Sequence, residues 1–406
     1  VFEYYDVAQE YGLKLIFGVE FYYVEDRLKK DRTNSHLVIL AKNNNGKRAS
    51  TKLISESNLT GFYHHPRIDK NLVLSLNPED VVVTSACVGS YIGKYDEYEE
   101  SFIKPMFKHF GDNFYLEIQA HTHPKQREYN KIILDLHNRY GIPLLHANDT
   151  HYIYPEQHKD RDDLLHSKKI FYPDEDGFIM DYPDSETILD RYREQGVFTD
   201  EQVLSALKNT LIVREFEDIK MSKEIKIPTL FPDLTHREKM DKLKDIITKE
   251  WQEDKKELTK KSMKKHIEAI REETDIVEKT KTEDYFLLNY YVIKRAIEKG
   301  GVLTRTGRGS APSLYINKLL GFTEIDRLEA PITLYPTRFM SVSRILETQS
   351  LPDIDFNTSD PKPFIDATRE ILGKDNCYYM VAYGTMQDAA AFKALCRARG
   401  VSPDTA

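Results

Sequence analysis

The run Leu351-Pro352-Asp353-Ile354-Asp355-Phe356 sets two carboxylates one residue apart inside an apolar frame. Side chains on a strand alternate, so Asp353 and Asp355 would share one face while Ile354 and Phe356 point into packing. Two adjacent carboxylates repel unless a cation sits between them, and a divalent metal is the natural partner. Upstream, Gly307-Arg308-Gly309-Ser310 follows an apolar segment at 301–303 and precedes a helical pattern over 313–320. That placement predicts a loop at a helix N-terminus. Free N–H groups and the helix dipole favour an anion there, and glycines let a triphosphate approach closely. The Ser310 hydroxyl and the Arg308 charge would add to such a contact. Each half is ambiguous alone, since paired acids often sit on solvated edges and glycine turns are often mere connections. Together they point to nucleotidyl transfer, in which one metal activates a hydroxyl and a second holds a triphosphate.

The elements that must hold these residues are legible as patterns. Residues 1–155 alternate short β-branched runs (Leu15–Glu20, His36–Leu40, Val81–Thr84, Phe114–Ile118, Pro143–Ala147) with helical stretches at 2–11, 47–57, 101–110 and 125–139. Strand and helix in alternation predict an α/β domain with largely parallel strands, whose functional residues gather at strand carboxyl ends. From 236 to 300 the pattern is helical and charged, with lysine pairs at 255–256, 260–261 and 264–265. Those pairs suit a solvated helix face or a positive surface beside a nucleic-acid backbone.

Composition narrows the class. The 406 residues are 40% hydrophobic and 31% charged, the balance of a folded chain with room for two or three domains. No stretch approaches the roughly 18 apolar residues of a spanning helix, so no membrane partner is expected. Three cysteines (Cys87, Cys377, Cys396) are too few for a disulfide framework, so a reducing cytoplasm is expected. The net charge of −8 argues only weakly against nucleic acid, because clustered metal-binding acids are neutralised in use. A start at Val1 and a stop at Thr405-Ala406 read as an internal piece of a longer protein.

At these residues the chain resembles the C-family replicative DNA polymerases, the polymerase III alpha type. Gly307–Ser310, Leu320-Gly321-Phe322-Thr323, Arg338-Phe339, Pro352–Phe356 and Tyr383-Gly384-Thr385 stand in that family's order and with its spacing. The loop departs from the family pattern at Ser310-Ala311-Pro312-Ser313, one residue shorter and with a proline, and the connector Ser341–Ser350 is longer than usual. The first half resembles the polymerase and histidinol phosphatase (PHP) domain through Gly18-Val19-Glu20, His36-Leu37-Val38, the 61–69 stretch, Thr84-Ser85-Ala86-Cys87 and Ala147–Tyr152.

The resemblance implies an incomplete PHP-type β/α barrel with a connector over 1–220, the N-terminal part of a polymerase β-like nucleotidyltransferase palm over 221–357, and the start of a helical thumb over 358–406. It implies template-directed DNA synthesis, with Asp353 and Asp355 binding two Mg²⁺ ions. Gly307, Arg308, Gly309, Ser310 and Arg338 would receive the dNTP phosphates. In the PHP domain it implies Glu20, His36, Cys87, Asp149 and His151 as ligands of Zn²⁺, Mn²⁺ or iron. An opening His-x-His should lie upstream of Val1 and a third catalytic carboxylate beyond Ala406. Primer–template DNA, dNTPs, a sliding clamp and other replisome subunits are the implied partners, at a cytoplasmic replication fork. A metal-dependent phosphoesterase or 3′–5′ exonuclease in the PHP domain, or a non-catalytic PHP scaffold, stays open beside the polymerase reading.

Overall fold

A computed structural model describes residues 2–172, 177–222, 224, 226–332, 336–338, 340–348, 350–380, 384–402 and 405. The chain divides into two compact units, residues 1–221 with 384–406, and residues 222–383. It is mixed α/β.

The first unit is built on a six-stranded sheet: β1 (Gly18–Val24), β2 (Ser35–Ala41), β3 (Arg67–Asp69), β4 (Val81–Thr84), β5 (Phe114–Gln119) and β6 (Leu144–Ala147). Its order is β3-β1-β2-β4-β5-β6. β2 runs antiparallel to both neighbours, whereas β3 is parallel to β1, and β4, β5 and β6 are mutually parallel. The largely parallel sheet expected from the sequence is therefore interrupted by one reversed strand. A chain that returns directly from β1 through the short 25–34 segment must run back antiparallel, because a parallel return needs a crossover of a dozen residues or more. Every residue of β4 and β5 is buried, as strands covered on both faces require.

The helices beside this sheet start and stop on local chemistry. The Asn43 side chain accepts the Asn45 and Gly46 amides to open the helix Asn44–Leu59, and Gly141, at φ 69°, closes Pro124–Tyr140. Buried Asn130 on the second of these donates to the Gln119 carbonyl and the Gln195 side chain, locking the helix to the end of β5. The expected 358–406 segment is divided between the units. Lys362–Leu372 packs against Glu283–Glu298 in the second unit, and Asp388–Ala398 packs on His158–Ser167 in the first. Arg399 there pairs with Asp163.

The second unit is helical, with His236–Asp254, Lys260–Thr280, Glu283–Glu298 and Lys362–Leu372 burying Leu243, Ile247, Phe286, Tyr315, Phe322 and Ile354. Thr235 and Glu238 form a reciprocal capping box at the first of these helices. The lysine-rich stretch lies on exposed faces, with pairs such as Lys279–Asp275. Two short strands, β7 (Arg308–Gly309) and β8 (Ile354–Asp355), pair antiparallel. The ladder extends on one side through a Leu303–Thr358 bridge and the Thr304 N–H to Asn357 carbonyl bond.

No described helix is long and apolar enough to cross a membrane.

Candidate functional site

The second unit brings the glycine loop and the carboxylate strand into one ladder. Arg308 stands opposite Asp355 and Gly309 opposite Ile354. Ile354 is buried while Asp353 and Asp355 keep solvent access, the alternation expected of that sequence. Gly309 has φ 64° and no side chain on the face the acids share. A Cβ built there would lie 3.2 Å from Asp355 Oδ2, 3.3 Å from Asp353 Oδ2 and 2.9 Å from the Asp353 carbonyl oxygen. Two carboxylate oxygens thus converge on a point that only glycine leaves open. Arg308 Nε is 3.7 Å from Asp355 Oδ2, a partial counter-charge on an exposed side chain. The pair fits hard divalent cations, being all-oxygen, solvent-accessible and aimed at a common volume.

The loop differs from its expected form. It is a strand edge, and the helix after it is shorter than expected, Tyr315–Leu319, preceded by the 3₁₀ turn Ala311–Ser313 that contains Pro312. The first amides of that helix are already satisfied. Buried Glu273 accepts the Tyr315 N–H at 3.0 Å and the Ile316 N–H at 2.8 Å, and Arg327 Nη2 lies 2.7 Å from the same carboxylate. An internal carboxylate therefore takes the place that an external anion would take at this helix end. Ser310 is fully buried, and both its N–H (2.8 Å) and its hydroxyl donate to the Asp353 carbonyl. Thr323, from the Leu-Gly-Phe-Thr segment, donates to the Thr306 carbonyl at 2.9 Å and so fixes the loop's entry. Arg338 is exposed in the turn Pro336–Arg338, and its carbonyl accepts from Arg344. Phe339 and Tyr383 of the expected motifs lie outside the described residues.

The first unit assembles a second cluster. Glu20 and Tyr22 on β1 share a face with His36 and Val38 on β2, because Tyr22 pairs with His36 and Glu20 with Val38. Cys87 follows β4 through Ala86, which adopts φ 60°. His36 Nδ1 lies 3.0 Å from Glu20 Oε1 and 3.2 Å from Cys87 Sγ. Ligand atoms of the three fall within 4.8 Å of one another. Gly89 leaves room for this approach, since a Cβ there would meet His36 Nδ1 at 3.1 Å. The His36 hydrogen bond holds the Glu20 carboxyl below its ordinary range, whereas burial pushes the Cys87 thiol up. Nitrogen, carboxylate and sulfur donors at this spacing suit Zn²⁺ or Mn²⁺, and binding must displace the thiol proton.

Asp149 and His151 line the same cavity of about 960 Å³ but stand outside that tight cluster. Asp149, just after β6, has φ 51°, and burial raises its carboxyl. His151 Nδ1 bonds the Asp149 carbonyl oxygen at 2.8 Å. The sequence reading missed His65, His121, Lys94 and Lys125 on the cavity wall. His121 carried a signal, standing two residues past the end of β5 in a His-x-His pair with His123.

Comparison with known proteins agrees with both halves. A family model for the PHP domain matches residues 1–121, and one for the bacterial DNA polymerase III alpha NTPase domain matches 241–406. DNA polymerase III subunit alpha of Aquifex aeolicus is 28% identical over 436 aligned residues, covering 100% of this chain and 36% of the relative. The same subunit of Borreliella burgdorferi is 29% identical, covering 97% and 34%. A DNA-directed DNA polymerase of Bacillus phage SPbeta is 26% identical, covering 96% and 35%. The chain spans about a third of the length of these relatives. Residues 1–121 thus match the PHP family and residues 241–406 the bacterial DNA polymerase III alpha NTPase-domain family, and the chain is similar along nearly all of its length to relatives named DNA polymerase III subunit alpha.

Proposed function

We propose that residues 221–357 carry the N-terminal part of a nucleotidyltransferase palm, and that this palm serves template-directed DNA synthesis from dNTPs. The convergence of Asp353 and Asp355 over Gly309 is the observation that carries this reading. Two Mg²⁺ ions held by this pair would supply activation of a primer 3′-hydroxyl and neutralisation of the triphosphate. The chain's own residues set the geometry. Asp353 and Asp355 supply the oxygens, and Gly309 keeps the space above them open. Gly307, Arg308 and Gly309 offer backbone and charge to the phosphates, with Arg338 assisting. Ser310 shapes the loop from beneath. Template pairing rather than these groups selects the base. Primer–template DNA is the macromolecular partner, and the sliding clamp and other replisome subunits would engage regions outside these 406 residues. In this reading residues 1–220 are an incomplete PHP-type β/α barrel with a connector, residues 358–406 begin a thumb, and the protein works at the cytoplasmic replication fork.

A second reading has its own observation. The Glu20–His36–Cys87 cluster, with Asp149 and His151 on the same cavity, suits a metal-dependent phosphoesterase or 3′–5′ exonuclease. Zn²⁺ or Mn²⁺ held there would supply a nucleophile and polarise a phosphoryl oxygen. A PHP scaffold without chemistry is the remaining alternative.

Asp353→Asn, in the chain extended to the length of its relatives, separates the readings. Primer extension is expected to fall at least about a thousandfold, with any phosphoesterase activity unchanged. Extension that survived the change would sink the assignment of the pair. The 406 residues alone are expected to extend no primer.

A further inference from the structure

The backbone on both sides of Asp353 is held by two residues that reach it from different elements. Tyr285, on the helix Glu283–Glu298, donates its hydroxyl to the Pro352 carbonyl at 2.8 Å. The Ile354 N–H faces that same hydroxyl. Ser310, from the glycine loop, donates its N–H and its hydroxyl to the Asp353 carbonyl. The two peptide groups that flank Asp353 are therefore both fixed. Two of these anchors are side-chain hydroxyls that touch neither carboxylate.

We propose that Tyr285 and Ser310 are positioning residues, a two-hydroxyl clamp that fixes the backbone of Asp353 and so aims the carboxylate pair at its cation. The proposal rests on the reading of Asp353 and Asp355 as the metal-binding pair. A short strand of two residues has too few ladder bonds to hold itself flat. Without the clamp, rotation about the Asp353 backbone would swing its carboxylate away from the point above Gly309, while Asp355 stayed opposite Arg308.

The test is Mn²⁺ affinity measured by electron paramagnetic resonance on the purified chain, with Cys87→Ser present throughout to silence the other cluster. Tyr285→Phe and Ser310→Ala are each expected to weaken Mn²⁺ binding about three- to tenfold, the loss of a hydrogen bond to a main-chain carbonyl. Thermal midpoints should stay close to the parent's. In the chain extended to relatives' length, Tyr285→Phe should raise the Mg²⁺ concentration needed for half-maximal extension and leave kcat at saturating Mg²⁺ near the parent value. Unchanged Mn²⁺ affinity in Tyr285→Phe overturns the clamp, as does a loss that only tracks unfolding. Asp353→Asn separates the two levels. If it abolishes Mn²⁺ binding while both clamp variants bind normally, only the clamp is wrong. If the parent binds no Mn²⁺, or if Asp353→Asn binds as the parent does, the metal-pair reading fails and the clamp with it.

Discussion

At the scale of single residues, Gly309 decides more than either acid beside it. Alanine there would need φ 64° and would press its methyl to 2.9 Å from the Asp353 carbonyl oxygen. Gly309→Ala is expected to cost about 2 kcal/mol of stability through strain and crowding. Primer extension by the extended chain should fall at least tenfold, and steady-state kinetics with urea unfolding would measure the two effects. Glu117 makes a pH prediction. Burial raises its carboxyl to about 7, although Thr84 and Gln119 both donate to it. A carboxyl raised on folding holds its proton in the native state while the unfolded chain releases it. Its contribution is therefore complete below pH 4.5 and is lost as pH rises through 7. Over that window, in metal-free buffer, the parent should lose up to about 3 kcal/mol relative to Glu117→Gln. Urea midpoints that fall in parallel for both proteins would count against this account.

At the scale of elements, the short strands depend on side chains from elsewhere. Arg67, in three-residue β3, is fully buried and donates to the carbonyls of Gly61, Arg27, Lys29 and Asp31. Arg67→Met should cost about 3 kcal/mol by stranding those acceptors, with amide exchange accelerated first across 27–31. This dependence explains what the sequence showed and what it hid. Val81–Thr84 and Phe114–Ile118 were legible because short runs rich in apolar, aromatic and β-branched residues mark strands buried on both faces. β3 was not, because Arg-Ile-Asp owes its burial to a guanidinium satisfied by main-chain oxygens far along the chain. The reversal of β2 was hidden for another reason: alternation reports burial, not direction. In the second unit Asp353, Asp355 and Gly309 were found by type and spacing. Their pairing was not, since the loop was read against the helix that follows it. Glu273, which caps that helix from 42 residues away, has no local signature.

At the scale of the whole molecule, the two clusters lie in separate compact units with different donor chemistry. Each site should therefore lose its metal independently. Cys87→Ser is expected to remove Zn²⁺ from the purified chain and leave Mn²⁺ binding at Asp353 and Asp355 intact, and Asp353→Asn should do the reverse. Elemental analysis beside a Mn²⁺ titration checks both, and loss of both metals from either single variant would contradict it. The pairing of β7 with β8 also sets an order in time. Ser310 and Asp353 are 43 residues apart, so at about 5–20 residues per second a ribosome exposes the glycine loop several seconds before its partner strand. Until that span closes, the loop has no ladder and the acids have no shared face. In the proposed reading, the capacity to hold a cation is thus acquired only when that span closes, and ion binding would report its closure.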